Sequence, residues 1–342
     1  MINLESTGHY HTPVIQYLEE QGVLYILLNP IISYQAKKSS LRKVKTDSID
    51  AYQLCVLYYK EDFEPHKIRG IKLLDLRNLS RQQEIVTNMY VEAKLQFHTI
   101  LDQVFPEYRK VFGDLFSKVS LLMLKEYPTS ETVLTVGENK LAESVMEFCP
   151  SRSGQWAWEK AKKIMDSASR NPFRTSVYQS HLINLRMYME SLFHYQGHLS
   201  DLEDRIVALA NEMEEYKMIQ SIPGIGEKIA ATMISEIGEI DRFNHPKNSA
   251  YAGFGPSVHS SGKFTATINR ITKRGSSRLR QSLYLAVLCG IRSSRNKKLK
   301  AFYDKKKSEG KPAKVAIVAC MNKLLHWIYA LLKRKEMFLD LT

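Results

Sequence analysis

The chain has 342 residues, 44% apolar and 25% charged, enough for two or three domains with proper cores. Four scattered cysteines without a CxxC pair exclude a zinc ribbon and a disulfide scaffold and fit a reducing cytoplasm. No charged-then-apolar leader and no apolar run of membrane length is present, so secretion and a membrane partner are not expected, while the formal net charge of +13 points to a polyanion.

Residues 13–21 read as a short helix with Pro13 near its start, ended by Gly22. Val23 to Leu28 is a continuous apolar run and reads as a buried strand. Residues 36–45 read as a basic loop. Thr46 is placed to cap a helix reaching about Tyr59, with Asp47 and Asp50 in its first turn. This helix–strand–helix order predicts an α/β start. Residues 71–104 carry helical apolar spacing through Leu73, Leu76, Leu79, Ile85, Val86 and Tyr90. Residues 107–175 read as mostly helical, broken near Pro128, Pro150 and Pro172. From 185 to 216 one heptad position holds Leu185, Leu192, Leu199, Ile206 and Met213, and the other Tyr188, Tyr195, Leu202, Leu209 and Tyr216. That is a coiled-coil seam, pairing either with the 71–104 helix or with another subunit; an ordinary amphipathic core helix is the plainer reading.

Residues 221–226, Ser-Ile-Pro-Gly-Ile-Gly, precede an apolar helix from Ile229 to Ile237. Such a turn resembles a helix-hairpin-helix element, in which Gly224 and Gly226 free backbone amides to face a phosphate and Lys228 adds a cation. A purely structural helix–helix turn uses the same residues. Next comes a segment of small residues around Ser260 and Ser261, from Tyr251 to Phe264, then a basic run containing Arg270, Lys273, Arg274, Arg278 and Arg280. Small residues allow close backbone approach, and these cations, with Lys263, can neutralise a phosphate; a serine in a glycine-rich turn is the bland alternative. Glu5, Asp47 and Asp50 are hard oxygen donors suited to Mg²⁺, with Asp47 and Asp50 sharing a helix face. Equally, Asp47 and Asp50 would complement a helix dipole.

The charge is uneven. Residues 1–70 hold 8 Lys/Arg and 8 Asp/Glu, whereas residues 263–342 hold 20 Lys/Arg against Asp304, Glu309, Glu336 and Asp340, net +16. One basic lobe on a near-neutral body is the footprint of phosphate-backbone binding, or else a solvated basic face.

Taken together, Glu-Ser-Thr-Gly-His-Tyr at 5–10, Lys-Thr-Asp-Ser-Ile-Asp-Ala at 45–51, Ile-Pro-Gly-Ile-Gly at 222–226, the Ala-Gly to Ser-Gly segment at 252–262 and Thr-Lys-Arg-Gly at 272–275 resemble one family. It is the insertion-sequence transposases of the IS110 type, matched in order and spacing over nearly the whole chain. The resemblance implies an RNase H-like (RuvC-like) domain with an Asp-Glu-Asp-Asp set holding Mg²⁺, a coiled-coil segment, and a C-terminal helical transposase domain with a serine nucleophile. It also implies DNA as substrate, guidance by a bridge RNA, and a homo-oligomer, dimer or tetramer. Residue by residue, Glu5 matches the family Glu, Asp47 and Asp50 its last two Asp, and Ser261 the nucleophile, with Ser260 as runner-up. The first family Asp lies on an opening strand ahead of the Glu, and Met1 stands four residues before Glu5. A truncated RuvC-like domain, or a mis-called start, is therefore expected.

The expected fold class is α/β plus mostly α: a RuvC-like domain at 1–70, a helical and coiled-coil region at 71–215 and a basic transposase domain at 216–342. The expected function is DNA cutting and rejoining. The alternatives are an impaired copy that only binds DNA or RNA, and a metal nuclease without the serine step.

Overall fold

The computed structural model describes residues 2–6, 8–38, 46–61, 63, 70–173, 178–243, 249–254, 260–261, 264–265, 271–273, 275–292 and 295–339. It divides into two units, Met1–Ile71 with Gly238–Asn244, and Lys72–Ile237 with His245–Thr342.

In the first unit, β1 (Ile2–Glu5) runs parallel to β2 (Tyr25–Leu28), with Ile2 opposite Tyr25 and Glu5 opposite Leu28. A parallel pair needs a crossover, here α1 (His11–Glu20). Its end is a Schellman turn: Val23 N–H reaches Leu18 O at 2.8 Å and Gly22 N–H reaches Glu19 O at 3.1 Å, with Gly22 at φ +64°. Leu18, Tyr25, Ile26, Leu28 and Leu57 are buried. The segment expected to be a basic loop from residue 36 begins inside a helix instead. This is α2 (Pro30–Lys38), started by Pro30 at its first position and by Asn29 Oδ1, which accepts from Ile31 N–H at 3.0 Å. Helix α3 (Asp47–Lys60) is capped by Thr46, whose hydroxyl accepts from Ile49 N–H, and packs against both α2 and β1.

Among the described residues, the second unit is helical apart from one short strand pair. Long helix α4 (Ile71–Val104) leads through a 3₁₀ turn (Pro106–Lys110) to α5 (Lys118–Glu126), α6 (Ser130–Val136), α7 (Glu138–Phe148) and α8 (Gly154–Arg170). The helices α5, α7 and α8 stop two residues before Pro128, Pro150 and Pro172, as the proline's effect on its predecessor requires. Then α9 (Gln179–Asn211) runs antiparallel to α4: Lys72 meets Glu212 at 2.6 Å, and Gln196 Nε2 donates to Tyr90 Oη at 2.8 Å. Phe97 and Leu101 of α4 and Leu185, Met189 and Leu192 of α9 share one core with α5–α8.

None of the ten heptad residues is exposed. The seam is not one helix, however, because α9 ends at Asn211, and Tyr216 belongs to α10 (Glu214–Gln220). The Leu185 and Leu192 end of the seam shares its core with α4 and with α5–α8, and α9 also packs on α5, α10 and α11.

The remaining elements are α11 (Glu227–Ile237), α12 (Ser249–Ala252), β3 (Ser260–Ser261), β4 (Phe264–Thr265), α13 (Ser277–Arg292), α14 (Lys297–Ser308) and α15 (Ala313–Arg334). By length and composition α15 is apolar enough to cross a membrane, which the sequence reading did not expect. Its Ala316, Ile317, Cys320, Met321, Leu324, Ile328 and Leu332 are buried, and it packs on α10, α13 and α14, the pattern of a core helix. The element order is thus a short α/β start followed by helices. Beyond β1 and β2, no further strand of an RNase H-like sheet is found among the described residues of the first unit.

Candidate functional site

The glycine-rich turn joins α10 to α11 and is pressed onto α13. Gly224 takes φ +99°, and a Cβ there would lie 2.8 Å from Gly290 Cα and 2.9 Å from Gly290 N. The buried Asn296 fixes the same corner: its amide donates to Pro223 O at 3.2 Å, and its Oδ1 caps α14 through Leu299 N–H at 2.9 Å. Gly224 therefore serves close helix packing. Gly226 is exposed, ends the turn at the start of α11, and would meet nothing within 4 Å if given a Cβ. Its surroundings leave room for a phosphate. Lys228 pairs with Glu203 of α9 at 2.7 Å.

The serine segment leaves and returns at one place. Ser276 N–H donates to Tyr251 O at 2.8 Å and Lys273 N–H to Gly253 O at 3.1 Å, closing a stem beneath residues 254–272. Lys273 is exposed and takes a left-handed φ of 55°. Arg280 Nη1 donates to Ala252 O at 3.0 Å, so this guanidinium steadies the stem. Arg278 is ion-paired with Glu84 of α4. Within the segment Ser260 and Ser261 lie on β3, which pairs antiparallel with β4, Ser260 opposite Thr265 and Ser261 opposite Phe264. Lys263, Arg270 and Arg274 lie outside the described residues. Of the candidate cations, then, Lys228, Arg278 and Arg280 have partners within the protein that the sequence did not disclose.

Glu5 ends β1, and the following Ser6 N–H donates to Leu28 O at 2.9 Å, which fixes the strand end. Asp47 and Asp50 stand in the first turn of α3, Asp47 exposed and Asp50 half-buried. The packing of α3 on β1 keeps the three carboxylates in one unit. Among the described residues, no group of three or more His, Cys, Asp or Glu gathers closely enough to hold a metal ion. As placed, the three do not fit a three-ligand Mg²⁺ site, so no step is derived through a metal.

The basic lobe centres on α14. Lys297, Lys305, Lys307, Lys311 and Lys314 are exposed. Asp304 takes Lys300 at 2.8 Å and Glu309 takes Lys306 at 2.8 Å, and the Lys306 hydrogen bond holds the Glu309 carboxyl below its usual range. Phe302 lies half-buried under Lys323, whose Nζ is 4.2 Å from the ring centroid. Phe302 and Tyr303 are thus half-buried supports for lysines, and Tyr284 is exposed.

Sequence reasoning missed Glu236 and Ser276. Glu236 is the one charged residue in the apolar run 229–237, yet only 2% exposed, and its Oε2 accepts from Ser276 Oγ at 2.9 Å. An acid at a buried helical position was the available signal.

Residues 216–304 match the family model described as transposase of the IS116/IS110/IS902 family, and residues 1–106 match one described as a transposase of the DEDD IS110 type. The chain is 33% identical over 142 residues to the transposase for insertion sequence element IS1111A of Coxiella burnetii, covering 41% of this chain and 39% of that protein. It is 28% identical over 154 residues to the pilin gene-inverting protein of Moraxella bovis, covering 44% and 48%. Against the insertion element IS900 uncharacterized 42 kDa protein of Mycobacterium paratuberculosis it is 22% identical over 323 residues, 92% of this chain and 77% of that one. The first two matches span less than half of those relatives' lengths.

Proposed function

Because the chain belongs to the IS110-type transposase family, we propose that it cuts and rejoins DNA, with Ser261 as the nucleophile. The observation that carries this reading is the serine pair on β3, in a segment whose two ends are tied together at the foot of α13. A nucleophile needs a fixed approach to a phosphate, and a closed stem supplies one. In this reading the Ser261 hydroxyl attacks a backbone phosphorus. The Oγ–P bond forms as Oγ gives up its proton, the P–O bond to one deoxyribose breaks, and the freed deoxyribose oxygen takes up a proton to become a hydroxyl. The reverse attack by a new strand's hydroxyl releases the serine, so the bond energy is conserved for rejoining.

The lobe at 263–342, net +16, supports DNA as the partner and suits the phosphates of a bridge RNA equally well. A hard-cation role for Glu5, Asp47 and Asp50 with Mg²⁺ rests on their oxygen chemistry and shared unit, and awaits a geometry in which they converge. We propose domain limits at 70 and 215; the DEDD IS110-type match runs on to residue 106, and the other match begins at residue 216.

The heptad seam of α9 is one candidate surface for a second copy. The outer side of α4 is the better one. Val91 and Leu95, four residues apart and so on one face, are exposed there, Leu95 by 55%, which supports a homo-oligomer joined through α4.

The test is a covalent protein–DNA adduct, trapped by denaturing the full chain in the act with a plasmid carrying its own element, that element's RNA and Mg²⁺. Ser261→Ala is expected to abolish the adduct while leaving DNA binding nearly unchanged. Loss in Ser260→Ala instead moves the assignment by one residue. Binding without any adduct leaves a protein that only docks DNA or RNA.

A further inference from the structure

Glu236 has no part in the chemistry proposed above, yet it touches Tyr251 and Ser276, which flank the serine segment. It is the penultimate residue of α11 and is only 2% exposed. A carboxylate so deeply buried is strongly unfavourable unless its charge and lone pairs are met. Three groups meet the carboxylate, and a fourth binds the main chain of the same residue. Arg77 Nη2 lies 3.8 Å from Oε2 and Arg81 Nε 3.5 Å from Oε1, both from α4. Ser276 Oγ donates to Oε2 at 2.9 Å, and Tyr251 Oη donates to the Glu236 backbone carbonyl at 2.9 Å.

Tyr251 and Ser276 are the two ends of the stem. Tyr251 O accepts from Ser276 N–H, so the pair binds to itself as well as to Glu236. Ser276 does a third thing: its hydroxyl accepts from Leu279 N–H at 3.1 Å and so caps α13. On α4, Arg77, Arg81 and Glu84 follow at helical spacing and so share a face. The first two address Glu236, and Glu84 addresses Arg278, the second residue of α13. Three residues of one helix thus register the base of the serine segment.

We infer that Glu236 is a positioning residue for the serine step, a buried clasp that holds residues 251 and 276 together and sets the Ser261 segment in register with α4. This rests on the serine reading above. The physical reason is leverage. The segment between 253 and 273 is held at its base, and a displacement of about 1 Å at a reacting atom can cost about a hundredfold in rate. Freeing the clasp moves the base without touching Ser261 or the basic lobe.

The experiment uses the full chain with its element's plasmid, RNA and Mg²⁺, and measures three things. These are the rate of adduct formation at saturating DNA, DNA affinity, and hydrogen exchange at the Lys273 and Ser276 amides. Glu236→Gln keeps shape and an acceptor but removes the charge. Ser276→Ala removes the hydroxyl, and Ser276→Thr restores it. Both Glu236→Gln and Ser276→Ala are expected to slow adduct formation by about tenfold or more, with affinity within about twofold of the unaltered chain. In both, the Lys273 and Ser276 amides should exchange faster, and Ser276→Thr should recover rate and protection. Should Glu236→Gln not fold, the serine pair carries the test alone. Unaltered rates in these variants, or rate losses that only follow a loss of folded protein and are not recovered by threonine, overturn the proposal. An unaltered chain that forms no adduct overturns the serine reading and the positioning role with it. Amide exchange unchanged by either variant overturns the clasp itself.

Discussion

Replacing Gly224 by alanine separates packing from phosphate binding in the 221–226 turn. The new Cβ would meet Gly290 Cα at 2.8 Å and N at 2.9 Å, and Ala286 O at 3.4 Å. The first two neighbours are backbone of α13 and cannot swing aside as a side chain would. Forcing an L residue into φ +99° adds conformational strain of about 1–2 kcal/mol. Overpacking against a helix backbone adds about 1–3 kcal/mol. The expected loss is therefore about 2–5 kcal/mol, felt by the unit that holds α10, α11, α13 and α14. Gly226→Ala is the matched control. It meets nothing within 4 Å, and its cost should stay within about 0.5 kcal/mol, a weaker helix cap being offset by a stiffer unfolded chain. Urea denaturation followed by tryptophan fluorescence reads both. A Gly224→Ala protein as stable as the parent, or a Gly226→Ala protein more destabilised than Gly224→Ala, would refute the reasoning from the Gly224–Gly290 contact.

Neutralising Lys305, Lys307 and Lys311 together should flatten the salt dependence of nucleic-acid binding, by roughly 0.9 in log–log slope for each phosphate left without its cation; an unchanged slope argues that the lobe is only a solvated face. Val91→Asp with Leu95→Asp should lower the mass seen by light scattering, because charge would be buried at an α4 interface; a parental mass for the folded double variant removes α4 as the joining surface. Under native alkylation Cys55 and Cys289, both exposed, should react, whereas buried Cys320, its thiol pushed up to about 11 by desolvation, should not. Mass mapping that finds Cys320 labelled as fast as Cys55 contradicts the packing of α15.

Much of the helical frame could be read from the sequence because its causes are local. Thr46 caps α3 through its own third neighbour, and the breaks before Pro128, Pro150 and Pro172 follow from proline's effect on its predecessor. The apolar spacing over 71–104 coincides with α4. What could not be read depends on residues far apart. Strand β1 is four residues long and is a strand only because β2 lies beside it. The heptad pattern ran past Asn211 because side-chain spacing alone does not register a helix end when the next helix keeps the same phase. The site suffered most. Arg278, Arg280 and Lys228 look alike in a basic sequence, but Glu84, the Ala252 carbonyl and Glu203 claim them from other elements. Ser261 and the carboxylates were legible only as a family pattern, since no local rule distinguishes them from turn and cap residues.

The closed stem has a consequence for how such proteins diversify. Once Tyr251 with Ser276 and Gly253 with Lys273 fix the two ends, the intervening chain is a loop of constant closure. Its entropy then grows only with the logarithm of its length, about 0.6 kcal/mol for each doubling. Lineages can lengthen, shorten or rewrite the serine-bearing loop while α13 keeps its cap and its place. The neck bonds are main chain to main chain, so the side chains that matter there are Tyr251 and Ser276, which both reach Glu236.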